Sequence, residues 1–234
     1  MRIVKMIPNA ITSMNLLCGV LGVIAALRGH VDYAFLLMLL ASVFDFMDGL
    51  AARILKAYSE IGKQLDSLSD MVSFGVLPAI MMFATANRCN CPIEFVPLLF
   101  AVFAALRLAK FNIDERQHSS FIGLPSPAAA IIAGSLCHFM STSNICYFVP
   151  LLKAPWFMPL VAVILGVLMV CNIPMFALKL GGGDKADKKT AIKRISFLVA
   201  LVIIAAVVLL TGIVWSAIPL LGFSFYILLN IVIR

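Results

Sequence analysis

An all-α, polytopic membrane helix bundle is the fold class this sequence predicts, and three observations predict it. The 234 residues are 63% hydrophobic and only 12% charged, whereas soluble domains run at about 45–50% apolar and about 25% charged. The mean hydropathy is +1.08. The apolar residues fall into runs of about 20, the length that crosses roughly 30 Å of hydrocarbon as a helix. A single integral membrane domain over 1–234 is the expectation. No cleavable leader is expected, because the first apolar run carries polar residues and no small-residue cleavage site.

Eight spans are predicted, at about 10–28, 32–54, 65–86, 94–113, 125–144, 155–177, 192–212 and 215–233. The first opens Ile7-Pro8-Asn9 and ends at a sharp turn, Arg28-Gly29-His30. The second and third are joined by a polar loop containing Gly62. The fifth begins at Pro125-Ser126-Pro127, and the sixth closes at Cys171-Asn172-Ile173-Pro174. Residues 143–154 are a weak candidate, since Tyr147 to Leu152 is apolar but too short to cross alone. The longest loop, Lys179 to Arg194, carries three glycines and a lysine run, and separates catalytic helices over about 1–178 from two C-terminal helices over about 192–233 without motifs.

Charge sets the expected orientation. With both termini on one side, that side collects 15 of the 18 lysines and arginines, leaving Arg28, Arg88 and Lys153 on the other. The positive-inside rule then puts the termini in the cytoplasm. The net charge of +7 needs no nucleic acid, because anionic lipid headgroups attract cytoplasmic basic segments. No internal repeat is visible, which counts against repeat-built carriers. Of six cysteines, Cys18, Cys137 and Cys171 fall in spans as small apolar residues. Cys89, Cys91 and Cys146 lie near external loops, where a bridge from Cys146 is conceivable. His30, His118 and His138 suggest no catalytic set.

Chemistry concentrates between Asp45 and Asp70. A carboxylate close to hydrocarbon is costly, so intramembrane acids mark functional sites. Asp45 and Asp48 are three residues apart near the end of the second span, and Asp66 and Asp70 are four apart at the start of the third. Each spacing puts both acids on one helix face, and a hairpin brings the pairs together. Four carboxylates suit hard cations, Mg²⁺ or Mn²⁺, and two-metal sites of this type serve phosphoryl transfer. Gly49 and Ala52 keep the face shallow for a ligand, Arg53 offers a planar fork to phosphate, and Gly62 breaks the chain between helices, opening room for a nucleotide. An ion-coupled carrier is the competing reading of buried acids.

The segment resembles the CDP-alcohol phosphotransferase family, whose D-x₂-D-G-x₂-A-R-x₈-G-x₃-D-x₃-D pattern it matches at Asp45, Asp48, Gly49, Ala52, Arg53, Gly62, Asp66 and Asp70. The resemblance implies a membrane enzyme transferring a phosphatidyl or similar group from a CDP-activated lipid to an alcohol, with release of CMP. It implies two divalent ions on the four aspartates, Asp70 as proton acceptor, contacts from Gly49, Arg53 and Ser59 to the CDP moiety, and a homodimer.

Scattered segments are similar to the serine-using members of that family, implying CDP-diacylglycerol and L-serine as substrates. Asn9, Thr12 and Asn15 share one face of the first span, as contacts to cytosine and ribose or as an interhelical hydrogen-bonding seam. After the fourth span come Arg107, Lys110 and Asn112, then Phe121-Ile122-Gly123-Leu124-Pro125-Ser126-Pro127, whose prolines restrict the loop. Arg107, Asn112 and Ser126 are the candidates for holding serine, the guanidinium on its carboxylate. Lys110 stands where arginine is expected, and Cys171 where serine is commoner. Glycerol phosphate and an inositol compound are the alternative acceptors.

Overall fold

The computed structural model describes residues 2–89, 91–113, 121–142, 154–171, 173–175 and 188–232. Helix α1 spans Arg2–Leu27 and α2 spans Val31–Ile54. Gly29, at φ +85°, makes the turn between them, where a Cβ would be strained. Arg88 Nη2 closes that turn by donating to the Gly29 carbonyl. The helix pattern begins earlier than the apolar run suggests, because polar residues at a membrane surface remain good helix formers.

The link after α2 is short. Lys56 adopts φ +48°, and the Ala57 amide donates to the Ala52 carbonyl at 3.0 Å, a left-handed closure of the helix end. Helix α3, Glu60–Asp70, starts at Ser59, whose hydroxyl accepts from the Gly62 amide as an N-cap. Gly62 therefore lies inside the first turn of α3 and does not break the chain, correcting the expectation from sequence. A π-helical turn, Met71–Val76, follows Asp70 directly and leads into α4, Leu77–Arg88.

A 3₁₀ turn, Val96–Leu98, opens α5, Leu99–Ile113. Strand β1, Phe121–Ile122, precedes α6, Ser126–Thr142; α7, Phe157–Val170, precedes strand β2, Pro174–Met175. The two strands form a short antiparallel ladder, Phe121 opposite Met175 and Ile122 opposite Pro174. The ladder ends α7 sooner than the sixth predicted span, which ran to 177, because Pro174 lacks the N–H a helix needs. Helices α8, Lys188–Thr211, and α9, Ala217–Val232, complete the described chain.

Among the described residues the regular structure is thus all-helical apart from that ladder. Met6–Leu27, Val31–Ile54, Glu60–Arg88 and Val96–Ile113 are each long and apolar enough to cross a membrane, and Phe157–Val170, Ile195–Thr211 and Ala217–Asn230 are shorter apolar helices. Phe35, Met38, Phe74, Leu77, Met81, Met82, Phe100 and Met158 form the sealed centre. Leu36, Leu40, Val102, Leu106, Ile164 and Val202 point outward, a placement that lipid, unlike water, does not penalise. The C-terminal pair attaches through α9 against α6. Trp215 stacks on Phe35 at 5.3 Å and lies 5.0 Å from the His138 ring, while His138 Nε2 faces Asp32 at 3.5 Å. The candidate bridge through Cys146, the loop residue His118, segment 143–153 and the glycine-lysine loop 176–187 lie outside the described residues.

Helix α1 is fitted closely against the π turn. A Cβ on Gly19 would stand 2.5 Å from Ser73 Oγ and 3.1 Å from its Cα. Gly19→Ala is therefore expected to destabilise the protein by about 1–3 kcal/mol, seen as a lower melting temperature in detergent, and Gly19→Ala combined with Ser73→Ala should recover part of the loss.

Candidate active site

The hairpin of α2 and α3 does what the aspartate spacing predicts. One oxygen from each of Asp45, Asp48 and Asp66 lies within 4.8 Å of the others. Asp45 and Asp66 come within hydrogen-bonding reach of each other. Two ionised carboxylates cannot stay in such contact without a proton or a cation between them. Asp66 Oδ1 is buried and has no hydrogen-bond partner among the described residues. Clustered oxygen donors with an unspent buried acceptor fit a hard divalent cation. Asp70 is not part of that trio, although it feels the charge of Asp45, Asp66 and Asp48.

A cavity of about 740 Å³ opens beside the trio, lined by Asn9, Thr12, Asp48, Gly49, Ala52, Arg53, Ser59, Gly62 and Asp66. That volume lies within the range of small-molecule sites, about 300–1,000 Å³. Seven of the eight residues expected on the CDP side thus share one lining. Gly49 is informative because a Cβ there would meet nothing within 4 Å; packing does not explain this glycine, and the open space belongs to the cavity. Gly62 has another reason, since a Cβ there would stand 2.8 Å from Asn9 Oδ1 and 2.9 Å from Ser59 Oγ. Arg53 is exposed on the last turn of α2.

Asn15 is the exception. It is fully buried, does not line the cavity, and donates from Nδ2 to Asp70 Oδ1 at 3.3 Å. Thr12 lines the cavity and also donates to Asp48 Oδ2. The polar face of α1 is therefore partly the hydrogen-bonding seam that the sequence left open. Sequence reading passed over Pro8, Ala57, Tyr58, Glu60 and Lys63, which complete the lining; their only signal was position within the linker and the helix starts beside the motif. It also passed over Ser69 and Ser73, whose hydroxyls donate to the backbone carbonyls of Thr12 and Asn15. Their four-residue spacing, facing Gly19, is the pattern that could have revealed them.

The three residues expected to hold serine do not line this cavity. Arg107 is buried and donates from Nη1 to Ser126 Oγ at 2.7 Å, and its Nε has no hydrogen-bond partner among the described residues. Asp70 and Arg107 interact electrostatically. Asn112 donates to Ser67 Oγ at 3.0 Å. The run after Phe121 positions Ser126: Gly123 adopts φ +81° and its amide donates to the Ile173 carbonyl at 2.9 Å. Cys171, where serine is commoner, donates from Sγ to the Leu168 carbonyl at 3.0 Å.

The family model described as CDP-alcohol phosphatidyltransferase matches residues 5–168. The chain belongs to this family. A Bacillus subtilis protein named CDP-diacylglycerol–serine O-phosphatidyltransferase is 36% identical over 129 residues, covering 53% of this chain and 71% of its own. A Helicobacter pylori protein of the same name is 34% identical over 169 residues, covering 71% and 70%. An archaetidylserine synthase of Methanothermobacter thermautotrophicus is 36% identical over 131 residues, covering 55% of this chain and 56% of its own length. Family membership decides for a transferase over an ion-coupled carrier, and the matched region contains the whole acidic hairpin. Helices α8 and α9 lie beyond it.

The crowded trio makes a stability prediction. Asp66→Asn removes one of the mutually repelling charges and is expected to raise the melting temperature in a chelator, by about 0.5–2 kcal/mol in stability. Added Mg²⁺ or Mn²⁺ should stabilise the wild type and stabilise Asp66→Asn much less, a reversal that differential scanning fluorimetry will read directly.

Proposed function

We propose that this protein transfers a phosphatidyl group from CDP-diacylglycerol to L-serine, giving phosphatidylserine and CMP. The observation that carries the reading is the meeting of the acidic trio with a cavity whose lining includes Gly49, Ala52, Arg53 and Gly62. The names of the serine-using relatives supply the acceptor. Residues 1–234 act as one membrane domain, with the catalytic helices in the first 178 residues. The site faces the cytoplasm, which the lysine and arginine distribution supports, and the protein works as a homodimer embedded among membrane lipids.

The donor's tails stay in the bilayer while its CDP head occupies the cavity. Arg53 forks onto pyrophosphate oxygens, the bare face at Gly49 and Ala52 lets the head approach the helix, and Asn9, Thr12 and Ser59 offer polar contacts. Asp45, Asp48 and Asp66, with Asp70, hold two divalent ions, Mg²⁺ or Mn²⁺. When bound, such ions neutralise charge on the pyrophosphate and around the attacked phosphorus. Arg107 takes the serine carboxylate, with Ser126 and Asn112 shaping the acceptor side. Asp70 removes the hydroxyl proton as the serine oxygen–phosphorus bond forms, and the phosphorus–oxygen bond to CMP breaks.

Purified protein given CDP-diacylglycerol, divalent metal and a panel of serine, glycerol phosphate and inositol should release CMP and form phosphatidylserine with serine alone. Product formed only from another alcohol would overturn the acceptor assignment. Gly49→Ala is expected to weaken donor binding at least tenfold while leaving the fold equally or more stable, since alanine is the better helix former by about 1 kcal/mol. Arg53→Ala should weaken donor binding too, with only part restored by Arg53→Lys. Arg107→Ala should raise the serine KM tenfold or more with little change in the donor KM. Losing one partner of a buried charged hydrogen bond costs about 2–5 kcal/mol, and about 1.4 kcal/mol is one decade. A serine KM within twofold of wild type removes Arg107 from the acceptor side.

A further inference from the structure

Asn15 faces away from the donor cavity and toward Asp70, and we propose that it is a positioning residue for the proton-accepting carboxylate. The inference rests on the proposed transfer reaction and adds a residue to it. Asn15 has no solvent exposure and is absent from the cavity lining, although Thr12 and Asn9, about one and two turns away on α1, are both part of it. Its Nδ2 donates to Asp70 Oδ1 at 3.3 Å.

The register of α1 against α3 serves this contact. Ser69 Oγ is shared between the Leu65 carbonyl of its own helix at 2.8 Å and the Thr12 carbonyl at 3.3 Å, and Ser73 Oγ donates to the Asn15 carbonyl at 3.1 Å. These two serines flank Asp70, so the backbone of α1 is held on both sides of the acid. Gly19, one turn beyond Asn15, leaves the room that Ser73 occupies. The same helix face gives Thr12 to Asp48. An amide suits the task at Asp70 because it donates an N–H, occupies one carboxylate oxygen and has no charge of its own to add to the acidic cluster.

A second observation separates this role from packing. Asn15 Oδ1 is buried and has no hydrogen-bond partner among the described residues. A side chain there only to fill space loses stability by carrying an unpaired acceptor, and leucine has nearly the same shape without it. Positioning shells of this kind carry about 10–100-fold of activity.

The test compares wild type, Asn15→Leu and Asn15→Asp. Leucine removes both polar atoms, and aspartate keeps the shape but has no N–H when ionised. Either variant is expected to lower kcat by about 10–100-fold, with the donor KM within threefold of wild type. CDP-diacylglycerol binding measured by calorimetry without any alcohol should also stay within threefold, a readout that needs no turnover. Should Asn15→Leu fail to accumulate, Asn15→Asp carries the same comparison. Donor binding weakened tenfold with kcat retained would make Asn15 a contact to the nucleotide and overturn the proposal. Wild-type kcat in both variants would overturn it as well. A wild type that uses glycerol phosphate or inositol in place of serine defeats the serine reading alone, and the kcat comparison is then made with that alcohol.

Discussion

Mutual repulsion among carboxylates held close to lipid is the constraint on which the rest of this structure depends. Asp45, Asp48 and Asp66 bring oxygens within 4.8 Å, an arrangement that no folding force rewards by itself. It persists because rigid parts hold it. Each acid sits on a helix, so spacing along the chain becomes spacing in space. The left-handed closure at Lys56 and the Ser59 cap return the chain within five residues. Helix α1 then lies across both arms, tied to α3 and the π turn through the Ser69 and Ser73 hydroxyls and to Asp48 and Asp70 through Thr12 and Asn15. The hairpin supplies the acids, and α1 supplies their alignment.

Much of this was legible before any coordinates. Helical periodicity placed the paired acids on common faces, and residues one turn apart cannot avoid that outcome. Apolar runs of bilayer length located the helices, because a backbone in lipid must satisfy its own hydrogen bonds. The ends were less legible. Helix α1 begins at Arg2, well before its hydrocarbon-length run, and α7 stops at Val170 because Pro174 and Met175 pair with β1, more than fifty residues earlier in the chain. A long-range ladder of two residues leaves no local pattern to read.

The glycines show the same division. Gly49 and Gly62 look alike in the sequence motif, both available to make room for a nucleotide. In the fold they do different work. Among the described residues nothing outside its own helix backbone would come within 4 Å of a Cβ on Gly49, so its missing side chain belongs to the cavity; Gly62 is crowded by Asn9 and Ser59, so its missing side chain belongs to the contact between α1 and α3. Spacing cannot distinguish an empty neighbourhood from a full one. The polar face of α1 was ambiguous for that reason too. Its register against α3 depends on Ser69, Ser73 and Gly19, residues whose importance appears only when two helices are docked.

Five buried polar atoms have no hydrogen-bond partner among the described residues. Two, His138 Nδ1 and Ser216 Oγ, lie apart from the acidic motif, and the other three are the acceptors Asp66 Oδ1 and Asn15 Oδ1 and the cationic donor Arg107 Nε. All three belong to residues linked to Asp45 or Asp70 by contact or by charge. Buried groups of this kind lower stability unless something completes them, and a lipid-facing bundle has little water to do so. Under the proposed reaction, cations complete the aspartates and the carboxylate of an amino-acid acceptor completes Arg107. Opposite charges are thus wanted on the two sides of Asp70, and an alcohol bearing a carboxylate meets the demand that inositol leaves open.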